Sequence, residues 1–150
     1  QIVQSAASEV LLDLFKKLEM KVDFRVSDWG TLVQRRASKE PPEKGGWHFF
    51  HTTWNGLDGI NPGVATWLRA NGERAFFGWP NVPAVERQRL AWFEAPDLAA
   101  QQAIAADLQR AVLEEAPYLP TGQYFLNTAY RRTISSPISA IFAFWDVRPV

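Results

Sequence analysis

The residues of this chain best suited to chemistry gather in one short stretch, Gly45–Pro62. There Asp58 follows Trp54 by four residues, His51 precedes Trp54 by three, and Asn61 stands just before Pro62. A carboxylate beside an indole is equipped to hold a ligand ammonium, because charge pairs with charge and the ring face adds cation–π attraction. The same Asp58 is equally fitted to an Asx turn or helix cap organising Leu57–Pro62. Residue types alone leave both readings open. His51 can offer a ring nitrogen to a ligand carbonyl or carboxylate, or serve as a satisfied core histidine. Asn61 is a further candidate ligand contact from the same loop. His48 and His51 point to opposite faces of an extended segment, which makes a poor two-histidine metal site, and no metal is expected.

Three aromatic or basic groups lie outside this stretch. Trp29 follows the capping candidate Asp28 and either covers a cleft or staples a helix to the sheet. Arg35 and Arg36 can grip a carboxylate, although adjacent arginines on a helix diverge and more often face solvent. Phe76, Phe77 and Trp79 make either an aromatic shelf or a turn packed over the sheet.

Catalytic constellations are missing. The chain has no G-x-S-x-G, H-E-x-x-H, P-loop or G-x-G-x-x-G motif, and no spacing rule places Asp28 and Glu43 as an acid–base pair. No enzyme activity and no cofactor are expected.

These side chains need elements to position them. Trp47–Trp54 opens as a nearly continuous apolar and aromatic run, the pattern of a strand buried on both faces, and empties into a polar loop. Open α/β sheets place ligands at such strand ends. Before it, Ser5–Leu18 carries apolar residues at spacings of three and four, which predicts a helix. Met20–Val26 alternates cleanly and predicts a half-buried strand. Ser27 or Asp28 can cap a short helix from Trp29 to about Ser38, and the charged Pro/Gly segment Lys39–Gly46 reads as a mobile loop. Helix, strand, helix, strand in this order predicts a βαβ unit with parallel strands and a right-handed crossover. Further on, the spacing predicts helices over Pro62–Ala70, Pro83–Glu94 and Asp97–Glu115, and strands over Tyr118–Phe125 and Ala140–Val147. The expected class is α/β, a mostly parallel sheet flanked by helices.

Composition sets the outer limits. One domain is the default at 150 residues and 17.0 kDa. Lys plus Arg and Asp plus Glu number 16 each, so no net charge draws the chain to nucleic acid or an anionic membrane. There are no cysteines, which excludes disulfides and thiolate metal sites. No apolar run approaches the roughly 20 residues needed to span a bilayer. Seven Trp and ten Phe are a heavy aromatic load, and Trp is costly to bury completely, so several are expected at a cleft or interface. The chain opens on Gln1 and runs at once into a helical pattern, the expectation being an excised fragment.

Several segments in order carry a resemblance. They are Leu14–Asp23, Asp28–Arg36, Gly45-Gly-Trp47, Phe77-Gly-Trp-Pro80, Ala95–Gln102 and Pro117–Phe125. Together they resemble the C-terminal part of the extracytoplasmic solute-binding proteins of ABC importers, in the dipeptide, oligopeptide and nickel-binding family (family 5). The resemblance implies a periplasmic-binding-protein-like lobe of the type II kind over residues 1–117. A terminal segment, 118–150, would cross back towards another lobe across a closing hinge. It implies capture of a short peptide or peptide-like amine for delivery to a membrane permease. Asp58 would pair with a peptide amino terminus, with Trp54 and Trp29 bordering the cleft and His51 near a position that is basic in some members. The alternative is a protein- or sugar-binding module built on an aromatic surface. A lobe lacking its partner exposes cleft surface, so self-association of the fragment is also expected.

Overall fold

Helical periodicity and capping residues decide which parts of this chain take regular structure. The computed structural model describes residues 2–135, 137, 144, 145 and 147–150. These contain α1 (Ile2–Lys17), α2 (Trp29–Arg36), α3 (Pro83–Glu94) and α4 (Leu98–Glu115), with single 3₁₀ turns at Pro42–Lys44, Gly56–Gly59, Thr66–Leu68 and Gly72–Arg74. The chain divides into two compact units, Gln1–Thr53 and Trp54–Val150.

In the first unit, α1 ends where Glu19 takes a left-handed conformation, φ 59°. Glu19 N–H donates to Lys16 O and Met20 N–H to Phe15 O, both at 3.0 Å, which satisfies carbonyls that the helix end would otherwise strand. Asp28 caps α2: its carboxylate accepts from Thr31 N–H at 3.0 Å and from the Thr31 hydroxyl at 2.6 Å. Those bonds, the hydroxyl's first, hold the Asp28 carboxyl below the usual carboxylate range. The last turn of α2 then organises the following loop. Arg35 donates twice to the Gly46 carbonyl, from Nε at 3.1 Å and Nη2 at 2.8 Å, and Trp47 Nε1–H donates to Arg36 O at 3.1 Å. Gly46 is buried so tightly that a Cβ there would lie 1.6 Å from Glu40 O. The Lys39–Gly46 segment, expected as a mobile loop, therefore carries a folded 3₁₀ turn with a defined docking point.

In the second unit, α3 and α4 pack together. Ala70, Val85, Leu108 and Val112 form the buried cluster, with Leu68, Val82, Ala111 and Tyr118 against it. Burying an aliphatic side chain of this size contributes about 1.5–3 kcal/mol, and Val85 is completely enclosed. Asp97 caps α4 by accepting from Ala100 N–H at 2.8 Å. Segment 70–82 closes on itself through Val82 N–H to Ala70 O at 2.8 Å and Gly72 N–H to Pro80 O at 2.9 Å. At its tip Trp79 N–H meets Phe76 O at 2.9 Å, and Gly78, φ 102°, takes the left-handed position this turn requires.

The α/β expectation is overturned. The described residues are helical, with 47% helix, 3% strand and no sheet among them. Among the described residues, pairing is confined to two isolated antiparallel bridges, Asn71 with Asn81 and Ile134 with Pro149. The predicted strands Met20–Val26, Trp47–Trp54 and Tyr118–Phe125 are not formed, and the predicted βαβ unit and parallel sheet fall with them. Residues 20–28 form neither helix nor strand and are exposed throughout, Val26 to 79%. Alternation defines an apolar face but supplies no ladder partner, and backbone groups without one stay in solvent. Most of the predicted strand Ala140–Val147 lies outside the described residues. The predicted helix Pro62–Ala70 shrinks to the single turn Thr66–Leu68, since Asn61 and Gly63 draw the preceding backbone into an Asx turn.

Candidate functional site

The five candidate residues fall in two units: Trp29 and His51 in the first, Trp54, Asp58 and Asn61 in the second.

In the first unit, His51 is half-buried and bound to α1. Gln4 Nε2 donates to the His51 carbonyl at 2.9 Å, and Ser8 Oγ lies 2.8 Å from His51 Nδ1. The Ser8 hydroxyl also donates to Gln4 O at 2.8 Å. A hydroxyl has one proton, so with that proton on Gln4 O the His51 Nδ1 is the donor to Ser8 Oγ. The arrangement is opposite to a Ser–His nucleophilic pair, in which the imidazole must accept the serine proton. Gln4 and Ser8 were not singled out by sequence reasoning, because their link to His51 spans more than 40 positions. Trp29 is partly exposed, and the Arg36 guanidinium carbon lies 5.6 Å from its ring centre, an intramolecular cation–π contact. Arg35 and Arg36 thus serve the loop and the ring of their own chain.

In the second unit, Asp58 sits in the 3₁₀ turn Gly56–Gly59. Its N–H donates to Asn55 O at 3.0 Å, and one carboxylate oxygen accepts from Asn55 N–H at 3.2 Å. The turn function foreseen for Asp58 is therefore present, and it ties one carboxylate oxygen into a four-residue turn. A carboxylate has about four acceptor sites, so one such bond leaves capacity for a ligand. Asn61 Oδ1 accepts from Gly63 N–H at 2.8 Å and Val64 N–H at 3.3 Å. Asn61 also borders a concavity of about 370 Å³, whose wall includes Ile60, Leu108, Leu113 and Tyr118.

Trp54 is 42% exposed and begins a run of ring contacts. Its centroid lies 4.6 Å from that of Trp67 and 5.2 Å from that of Phe76. The run continues from Phe76 to Phe77 at 4.9 Å and from Phe77 to Trp79 at 6.4 Å. The predicted aromatic turn is thus formed, and it is joined to Trp54. Sequence reasoning passed over Trp67, placing it inside a helix. The breakers Gly59, Pro62 and Gly63 ahead of it were the available signal that this tryptophan belongs to a loop.

Among the described residues, no group of three or more His, Asp or Glu side chains is placed to hold a metal ion. No helix formed by the described residues is long and apolar enough to cross a membrane.

No family model matches the chain. It is 31% identical over 137 residues, 91% of its length, to a protein of Sinorhizobium fredii (strain NBRC 101917 / NGR234) named "Probable peptide ABC transporter periplasmic-binding protein y4tO". The chain spans 26% of that protein's length.

Proposed function

We propose that this chain, a relative of the periplasmic-binding proteins of ABC transporters over nearly its whole length, is a portion of a solute-binding protein. That protein would capture a short peptide or peptide-like amine in the periplasm and hand it to a membrane permease. The observation that carries the reading is the 31% identity sustained along 91% of the chain. Since the chain spans 26% of the relative, capture and delivery belong to the larger protein, to which this chain contributes one wall of the site. In this reading residues 1–117 belong to the C-terminal lobe, and 118–150 return towards the other lobe.

The chemistry is non-covalent. Asp58 is the counter-charge for a ligand ammonium, Trp54 and Trp29 offer ring faces at the border, and His51 and Asn61 supply polar contacts. The turn that holds Asp58 supports this role, because a carboxylate already fixed in place loses little freedom on binding. In the full-length protein, Asp58→Ala is expected to weaken binding of free-amine peptides by about 1.5–3 kcal/mol, roughly 10- to 150-fold. Titration calorimetry with a peptide recovered from the purified protein measures it. Unchanged affinity for every cationic or peptide ligand tested removes Asp58 from the site.

One observation favours a second reading. The ring run from Trp54 through Phe76 to Trp79 is the kind of surface on which a sugar or a protein partner stacks. A module of that kind binds its partner as the isolated chain, whereas a half-cleft needs the rest of the protein.

A further inference from the structure

We infer that Trp67 and Gly59 are positioning residues for the Asp58 carboxylate, setting it at a fixed place relative to the Trp54 ring. The inference rests on the proposed ammonium-binding role of Asp58 and deepens it.

Three observations converge on the Trp67 indole. Its centroid is 4.6 Å from that of Trp54, with the ring planes inclined at 41°. Its benzo edge lies so close to Gly59 that a Cβ built there would stand 2.8 Å from Cζ2 and 3.1 Å from Cη2. Gly59 is the final residue of the 3₁₀ turn that carries Asp58. One side chain therefore supports both partners of the proposed ammonium site, the exposed ring and the turn bearing the carboxylate. Cation recognition by a carboxylate and a ring face depends on their separation and angle, since the ligand must touch both at once. The Asn55 hydrogen bonds form the turn that carries Asp58, and the shared contact with Trp67 adds a packing link between that turn and the Trp54 ring.

The glycine at position 59 is required by space. Any side chain pushes either the ring away from Trp54 or the turn away from the ring. Trp67 is no member of the buried α3–α4 cluster, so its replacement leaves that core intact.

The test uses the full-length protein carrying this chain and two probes, a pooled set of random tripeptides with free amino termini and the same pool N-acetylated. Retention is read by mass spectrometry after equilibrium dialysis. Wild type is expected to retain the free-amine pool preferentially. Gly59→Ala and Trp67→Ala should each reduce that preference by about tenfold while leaving retention of the acetylated pool unchanged. Trp67→Phe should restore part of it. In the double variant the added methyl meets no ring, so its effect should fall well below the sum of the two single effects. Helix content by circular dichroism identifies a variant that fails to fold, and Trp67→Phe then carries the comparison with wild type.

The outcomes separate cleanly. A wild type with no preference for free amines overturns the Asp58 reading and this inference with it. A wild type that discriminates, beside Gly59→Ala and Trp67→Ala variants that discriminate equally, overturns only the positioning role. Equal losses for both pools, or strict additivity in the double variant, also overturn it, because a merely structural contact gives those results.

Discussion

At the scale of single residues, a few polar side chains do more than their sequence context suggests. Glu86 accepts Ala70 N–H at 2.8 Å and Arg89 at 3.2 and 3.1 Å, with only 14% and 11% of the Glu86 and Arg89 side chains exposed. Burial pushes the Glu86 carboxyl up, but the Arg89 and Ala70 hydrogen bonds and the attraction of Arg89 and Arg69 outweigh it, leaving the pKa lowered. A carboxylate depressed on folding adds stability that is fully present above its unfolded value of about 4.3. That stability is lost as pH falls through the lower folded value. Glu86→Gln should therefore cost about 1–3 kcal/mol at neutral pH and flatten the acid limb of the stability profile. Urea denaturation followed from neutral pH into acid measures both effects. The site residues show what sequence can and cannot give at this scale. Asp58 was read as a turn former or an ammonium partner, and its hydrogen bond to Asn55 N–H establishes the first role without closing the second. Nothing in the order of residues could announce that Ser8 faces His51 or that Gly59 abuts Trp67, because those contacts are made by folding.

At the scale of elements, helices α1–α4 were legible, while the predicted helix Pro62–Ala70 and the strands were not. Asp28 caps α2, Asp97 caps α4, and the Ala100–Val112 stripe turns Leu108 and Val112 into the core, all from interactions within a few residues. A strand is defined by a partner elsewhere, so the alternation of Met20–Val26 could name its apolar face and nothing more. Helix ends were only half legible. Glu19 at φ 59° and Ala116 at φ 45° occupy left-handed C-terminal positions that glycine fills most easily. The left-handed conformation costs an L-residue roughly 1–2 kcal/mol, and the extra unfolded-state freedom of glycine returns about 0.5–1 kcal/mol of that. Glu19→Gly and Ala116→Gly should each stabilise the protein by roughly 0.5–1 kcal/mol, visible as a raised thermal midpoint with unchanged helix content.

At the scale of the whole molecule, apolar surface exceeds what the core takes in. Val10, Leu18, Val26, Ile60, Leu98 and Phe125 are all more than half exposed, and α1 keeps much of its stripe in solvent. Surface of this kind seldom stays bare. Light scattering of the isolated chain should therefore show mass above that of a monomer, growing with concentration and diminishing when the rest of the protein is supplied. A strict monomer at all concentrations would count against the half-site reading. Residues 20–28 carry a separate consequence. This is a solvent-facing stretch outside helix and strand, the kind of segment where proteolytic nicking concentrates. Lys21 and Arg25 put two trypsin-type bonds inside it, and the Arg25–Asp23 ion pair across them, itself exposed, offers little shielding. A cut there would part α1 from α2 and leave the α3–α4 pair whole, and early cleavage within this stretch is the outcome expected of limited trypsin digestion.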